Sequence, residues 1–293
     1  MARDFAMQRY GTLGGAMNEI WQSVLPLLQA VDWSCHSHRT PDDPEYAQYA
    51  HDSYDSRVFL MDMLGACVPR TLDTAKNEPH WRLLMERAAA LRDGAARTLR
   101  LIAALPEEAF GEPFIRRDTV DIARSVIERF AHWAIMKLIL LRRDYLGGAE
   151  NAQAMEALCA RIQALAGLEA GLLACHEDFS MMRTLEGLRA VCPVNPVYET
   201  TLKRNLVNAY CRQACYEPYR YLYQAEQQVY FDWFLENLRA GNRGEWEKPP
   251  QETADALFAR FMDTPLCGMR SPCTGDLPAV LTRAAEELDK ISF

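Results

Sequence analysis

The chain has 293 residues, 49% of them hydrophobic and 25% charged, and its 32 basic and 40 acidic side chains give a net charge of −8. Apolar material is ample and the 15 Gly and 15 Pro follow no period, which excludes a disordered, collagen-like or low-complexity chain. The acidic balance argues against nucleic acid or an anionic membrane surface as partner, since both need clustered positive charge.

Read in chain order, the apolar residues recur at three and four rather than two, which predicts an all-α protein: an antiparallel bundle of roughly eight to ten helices with no sheet. Gly15 to Val31 reads as a helix carrying Trp21, with Pro26 as a kink or an early end. Asp32 to Asp52 is a polar connection, and Ser53 to Cys67 is the next helix. Pro79 opens a long helix through Leu105. Pro106 to Pro113 forms a turn, and Asp118 is placed to cap a helix from Thr119 to Tyr145 that ends at Gly147 and Gly148. Helices follow at Ala149 to Cys175 and Ser180 to Ala190. The longest pattern runs from Val197 to Leu238, with Pro218 set to kink or split it. Further helices are expected at Glu252 to Met262 and Ala279 to Ile291, joined by a loop. In domain terms, residues 1–240 form the main bundle, 241–250 a linker, and 251–293 a helical hairpin packed on the bundle.

The opening segment MARDFAMQRYGTLGG lacks the apolar core of a secretory signal, and no stretch reaches the roughly 20 uncharged apolar residues of a membrane span. A cytoplasmic setting is therefore expected. Cys67, Cys159 and Cys175 sit beside Leu, Ala and Val in helical patterns and read as buried reduced thiols. Cys211 with Cys215, and Cys267 with Cys273, have spacing for a metal or a disulfide but no CxxC and no adjacent His.

Much familiar chemistry is missing. A ferritin-like di-iron site needs a Glu three residues before His on two helices, yet the residues at that offset are Trp33, Cys35, Gln48, Asn77, Arg129 and Leu173. There is no HExxH, no phosphate-binding loop, no GxGxxG after a strand and no GxSxG, so no cofactor is implied. Asp42-Asp43 is similar to the acidic motif of terpene cyclases, but Pro44 follows at once and no facing cluster exists. Cys35, His36 and His38 lie together in a polar loop, and Glu128 and His132 share a helix face at i, i+4, a spacing that suits acid–base or haem chemistry as well as a buried satisfied pair.

The segment from His176 to Glu226 interleaves polar residues with aromatics. Half of the twelve tyrosines fall between Tyr210 and Tyr230, and Glu199–Lys203 and Asn208–Arg212 are spaced to pair along a helix. Polar side chains spread round an aromatic helix either pair with one another when buried or line a cleft in which tyrosines stack on a ligand such as a sugar. The ligand-binding residues expected for such a cleft are Asn205, Asn208, Tyr210, Arg212, Tyr216 and Glu217.

The opening, DFAMQRYGTLGGAMNEIWQSVL, resembles the segment where several large glycoside hydrolases pass from a catalytic (β/α)8 barrel into a C-terminal helical domain, with Phe5, Arg9, Tyr10, Gly11 and Trp21 in the matching places. HEDFS, NPVYETTLK and NAYCR are similar in style to such helical appendages. The resemblance implies a non-catalytic accessory domain that packs on a (β/α)8 barrel or contacts saccharide, the barrel and its paired carboxylates being absent from this chain. The alternative is a stand-alone all-α enzyme holding haem or metal through His132 or His176, near Glu128 and Glu177; a third reading is a scaffold that forms homo-oligomers, with YFDWF (Tyr230 to Phe234) as interface or core.

Overall fold

The computed structural model describes residues 2–30, 78–193, 198–208, 215–244, 246, 251–269 and 275–293. All regular structure among these residues is helical, with no strand or sheet, as the periodicity predicts. The expected helix Ser53 to Cys67, the Cys35/His36/His38 trio, Asp42-Asp43, Cys211 and Cys273 lie outside the described residues.

The chain begins with α1 (Ala2–Tyr10), a helix that the apolar pattern does not announce, and a 3-10 turn leads into α2 (Gly14–Ala30). Met17, Ile20, Val24 and Leu27 make the buried stripe of α2, and Pro26 sits within that helix rather than ending it. Gly14 lets α1 fold back on α2, because a Cβ there would stand 2.6 Å from the Cα of Met7. Next come α3 (Glu78–Ala103), a 3-10 turn at Glu107–Gly111, and α4 (Pro113–Leu146). At 34 residues α4 is about 51 Å long at 1.5 Å per residue. Ile122, Val126, Phe130, Trp133, Ile135, Leu138 and Ile139 are buried on several of its faces, so it forms the spine of the bundle. It starts earlier than expected: Pro113 takes the first-turn position, and Asp118 lies inside the helix instead of capping it.

α5 (Ala152–Leu173) packs antiparallel on α4, and α6 (Met181–Val191) starts at Ser180, whose Oγ accepts the Arg183 amide. α7 (Tyr198–Asn208) is followed, from Tyr216, by one turn of α-helix, a π turn at Tyr219–Tyr223 and α8 (Gln224–Arg239). α9 (Gln251–Asp263) and α10 (Leu277–Asp289) complete the order. Leu277, Leu281, Ala284, Ala285 and Leu288 bury α10 against α3 and α5, and Arg161 Nη1 reaches Glu287 at 2.9 Å. Tyr230, Phe231 and Phe234 are fully buried, so these aromatics of the YFDWF segment belong to the core. Trp246, in the expected linker, is buried against Phe234 and under the Arg142 guanidinium at 4.3 Å.

Polar ties hold the smaller helices. Lys203 of α7 is 1% exposed, and its Nζ donates to the carbonyls of Phe261, Met262 and Thr264 at the C-terminus of α9, where a cation meets the negative end of the helix dipole. Glu199, the expected partner of Lys203, lies 3.4 Å away and accepts the Leu266 amide at 2.6 Å.

Candidate functional site

The expected cleft residues divide. Asn205 is exposed on α7, Asn208 is the last residue of that helix, and Tyr210 and Arg212 lie outside the described residues. Glu217 is completely buried and serves the fold: it accepts Ser180 Oγ and the Met181 amide at 2.7 Å each and the Met182 amide at 3.1 Å, so a carboxylate sits on the positive N-terminus of α6. Tyr216 is half-buried and meets the ring of Tyr221 edge-to-face at 6.3 Å. That contact leads to an open groove.

The groove lies between α5, the π turn, the start of α8 and α9. In the π turn the Gln224 amide donates to the Tyr219 carbonyl, five residues back. Such single wide turns cost hydrogen-bond geometry and recur at functional sites. Here the wide turn sends Tyr219, Leu222 and Tyr223 into the core while Arg220 and Tyr221 stay at the surface. The groove encloses about 400 Å³, and Gln163, Arg220, Tyr221, Gln224, Gln228 and Arg260 line it. Its amides are oriented by one another: Gln224 Nε2 donates to the Ala166 carbonyl at 2.9 Å and its Oε1 accepts Arg220 Nη1 at 2.7 Å. Gln163 Nε2 donates to Gln228 Oε1 at 3.2 Å, and Gln228 Nε2 to Asp232 Oδ1 at 2.7 Å. A carboxamide has two donors and a carbonyl with two lone pairs, so each of these side chains keeps hydrogen-bonding capacity for a ligand.

No protein-family model matches the chain, and neither a curated protein nor a solved structure does. The site is therefore interpreted from its own chemistry.

Beneath the groove, Tyr219 Oη donates to Glu169 Oε2 of α5 at 2.9 Å. Glu169 is 1% exposed and stands against Glu128 of α4; burial first, and then the neighbouring carboxylate, raise its carboxyl well above the usual range. Both Glu128 oxygens accept Arg124 Nη1 at 2.7 Å. The two acids are neighbours on two helices, and burial holds the Glu169 carboxyl protonated to higher pH than usual. Sequence reasoning missed Glu169, although a lone acid in the apolar run of α5 was its signal. The groove's own signal was the amide-rich QAEQQ directly after YRYLY.

The histidines expected to hold haem or metal contribute no described centre. The side chain of His132 lies outside the described residues. His176 Nδ1 accepts the Asp178 amide at 3.1 Å, which occupies the lone pair that would bind a metal through that nitrogen. Among the described residues no three His, Cys, Asp or Glu stand together to hold a metal. Cys159 and Cys215 are buried, and burial pushes each thiol up to about 12, so both stay protonated.

The five residues that carry the resemblance meet in one junction. Asp118 of α4 accepts Arg9 Nε at 2.6 Å, Arg9 Nη2 at 3.1 Å, Tyr10 Oη at 2.7 Å and Arg117 Nη1 at 3.2 Å. Trp21 Nε1 donates to Tyr10 Oη at 3.2 Å, Phe5 stands edge-on to the Tyr10 ring, and Gly11 turns the chain with φ of 55°. A cavity of about 520 Å³ adjoins the junction, larger than the groove. Its only arginine is already held by Asp118, and Glu108 and Glu112 stand in its wall, so the chemistry there is that of a helix junction.

Proposed function

We propose that this chain is a non-catalytic helical accessory domain of a carbohydrate-active enzyme and that it takes saccharide in the groove beside Tyr221. The observation carrying this reading is the lining: planar amides, oriented by their own hydrogen bonds, beside a tyrosine ring. Sugar hydroxyls need paired donors and acceptors, and the apolar faces of sugar rings rest on aromatic ones. The surface moves from the residues around Tyr210 and Arg212 to the next turns of the same segment, with Tyr216 retained through its contact with Tyr221. The volume lies within the roughly 300–1,000 Å³ of small-molecule sites.

The test is a glycan array followed by calorimetric titration of the best oligosaccharide. The wild-type chain binds, and Tyr221→Ala and Gln224→Ala each weaken binding about tenfold or more with unchanged helicity by circular dichroism. Absence of binding to every glycan, or equal binding by both variants, overturns the reading. The rival, a stand-alone all-α enzyme with haem or metal at His132 or His176, draws support from the buried Glu169 carboxyl beside Glu128. Stoichiometric haem or metal in purified protein would favour it over the first.

A further inference from the structure

The groove is not electrically neutral. Arg220 and Arg260 line it, and no carboxylate does. Several exposed or half-exposed arginines elsewhere, Arg9, Arg97, Arg124, Arg161 and Arg239 among them, reach a carboxylate oxygen within 3.1 Å. Arg220 instead spends one Nη1 proton on the neutral Gln224 Oε1, and the Arg260 guanidinium makes no hydrogen bond or ion pair among the described residues. The acid tied to the groove wall, Asp232, is engaged by the Gln228 amide. On a chain of net charge −8, two guanidinium groups without a carboxylate in one concave site attract anions against the overall field.

We propose, resting on the saccharide reading above, that the ligand is an acidic saccharide whose uronate carboxylate is bound by Arg260 and Arg220. A guanidinium presents parallel N–H donors matched to the two oxygens of a carboxylate, and such charge-assisted pairs are about twice as strong as neutral hydrogen bonds. The division of labour follows: Tyr221, Gln163 and Gln228 meet ring faces and hydroxyls, which neutral and acidic sugars share, while the arginines read the charge that only the acidic sugar carries. Gln224 holds Arg220 in place as well as lining the groove.

The experiment titrates the full chain calorimetrically with a uronate oligosaccharide, its neutral counterpart of equal length and linkage, and a sulfated counterpart. Wild type, Arg260→Gln, Arg220→Gln and Tyr221→Ala are compared, with circular dichroism as the folding control. The expected result is a preference for uronate over the neutral sugar of about tenfold or more, the scale of one charge-assisted pair. Each arginine variant then loses that preference while keeping its affinity for the neutral sugar, and Tyr221→Ala weakens both. If the neutral sugar binds in a Tyr221-dependent way with no preference for uronate, the saccharide reading stands and the acidic one falls. Equal or tighter binding of the sulfated sugar overturns the assignment to a carboxylate. If no sugar binds, both readings fall.

Discussion

Replacing Asp118 by Ala removes the acceptor on which three donors from α1 and α4 converge. The cost is unequal among them. Arg9 and Arg117 have side chains 29% and 41% exposed, so each can turn to water, and its share falls toward the ~0–1 kcal/mol of a surface pair. Tyr10 is 6% exposed, and a buried hydroxyl that loses its acceptor costs about 1–3 kcal/mol. The sum is about 3 kcal/mol, a fall in Tm of about 5 °C at roughly 1.6 °C per kcal/mol for a chain of 293 residues. Asp118→Asn, which keeps an acceptor oxygen and the shape, should lose about half as much. Burial pushes the Asp118 carboxyl up, but the hydrogen bonds from Arg9, Tyr10 and Arg117 outweigh it and hold the group below the ordinary 3.8. A depressed acid stabilises the fold above its unfolded pKa and loses that contribution as pH falls through its folded one, so the Asp118→Ala deficit should shrink in acid. Urea unfolding of the three proteins at pH 7 and near pH 3 measures this. An Asp118→Ala deficit within ~0.5 kcal/mol of zero at pH 7 would refute the junction's role.

Glu169→Gln replaces the buried carboxyl by a neutral group of the same shape. Because the folded carboxyl is raised, wild-type stability falls as pH rises above the ordinary 4.5 toward the folded value, so the variant should match wild type near pH 4.5 and exceed it at pH 8; equal destabilisation at both, read by urea melts, would contradict a raised Glu169. Gly14→Ala forces a methyl to within 2.6 Å of the Met7 backbone and should cost about 1–3 kcal/mol, an effect that vanishes if α1 does not lie on α2. Lys203→Ala leaves three carbonyls at the end of α9 without their cation and should cost about 2–4 kcal/mol, with faster proteolysis near Thr264; unchanged cleavage there would remove Lys203 as the tie.

The helices were legible because buried stripes repeat every three or four residues, as Met17, Ile20, Val24 and Leu27 do in α2. α1 was not, since Ala6 and Tyr10 are too few to make a stripe and the helix is tied down by Asp118, 109 positions away from Arg9. Asp118 looked like a cap because an acid before a β-branched apolar run is what a cap looks like; Pro113 holds the first-turn position instead. In the polar segment, Glu199 and Lys203 were legible as a pair because helix spacing alone brings them together, whereas Glu217 was read as a ligand contact because nothing local reveals the α6 N-terminus it meets. The groove was least legible. Gln163, Arg220 and Arg260 come from three distant stretches, and only the packing of α5, the π turn and α9 unites them.

Hydrogen–deuterium exchange of the full chain, with and without a saturating uronate oligosaccharide, tests the central claim most directly, because it locates the ligand without altering a residue. The account predicts slowed exchange concentrated in peptides covering Gln163, residues 220–228 and Arg260, with the Arg9–Asp118 junction unchanged. Protection at the junction with none around residues 220–228, or no protection at saturation, would contradict it.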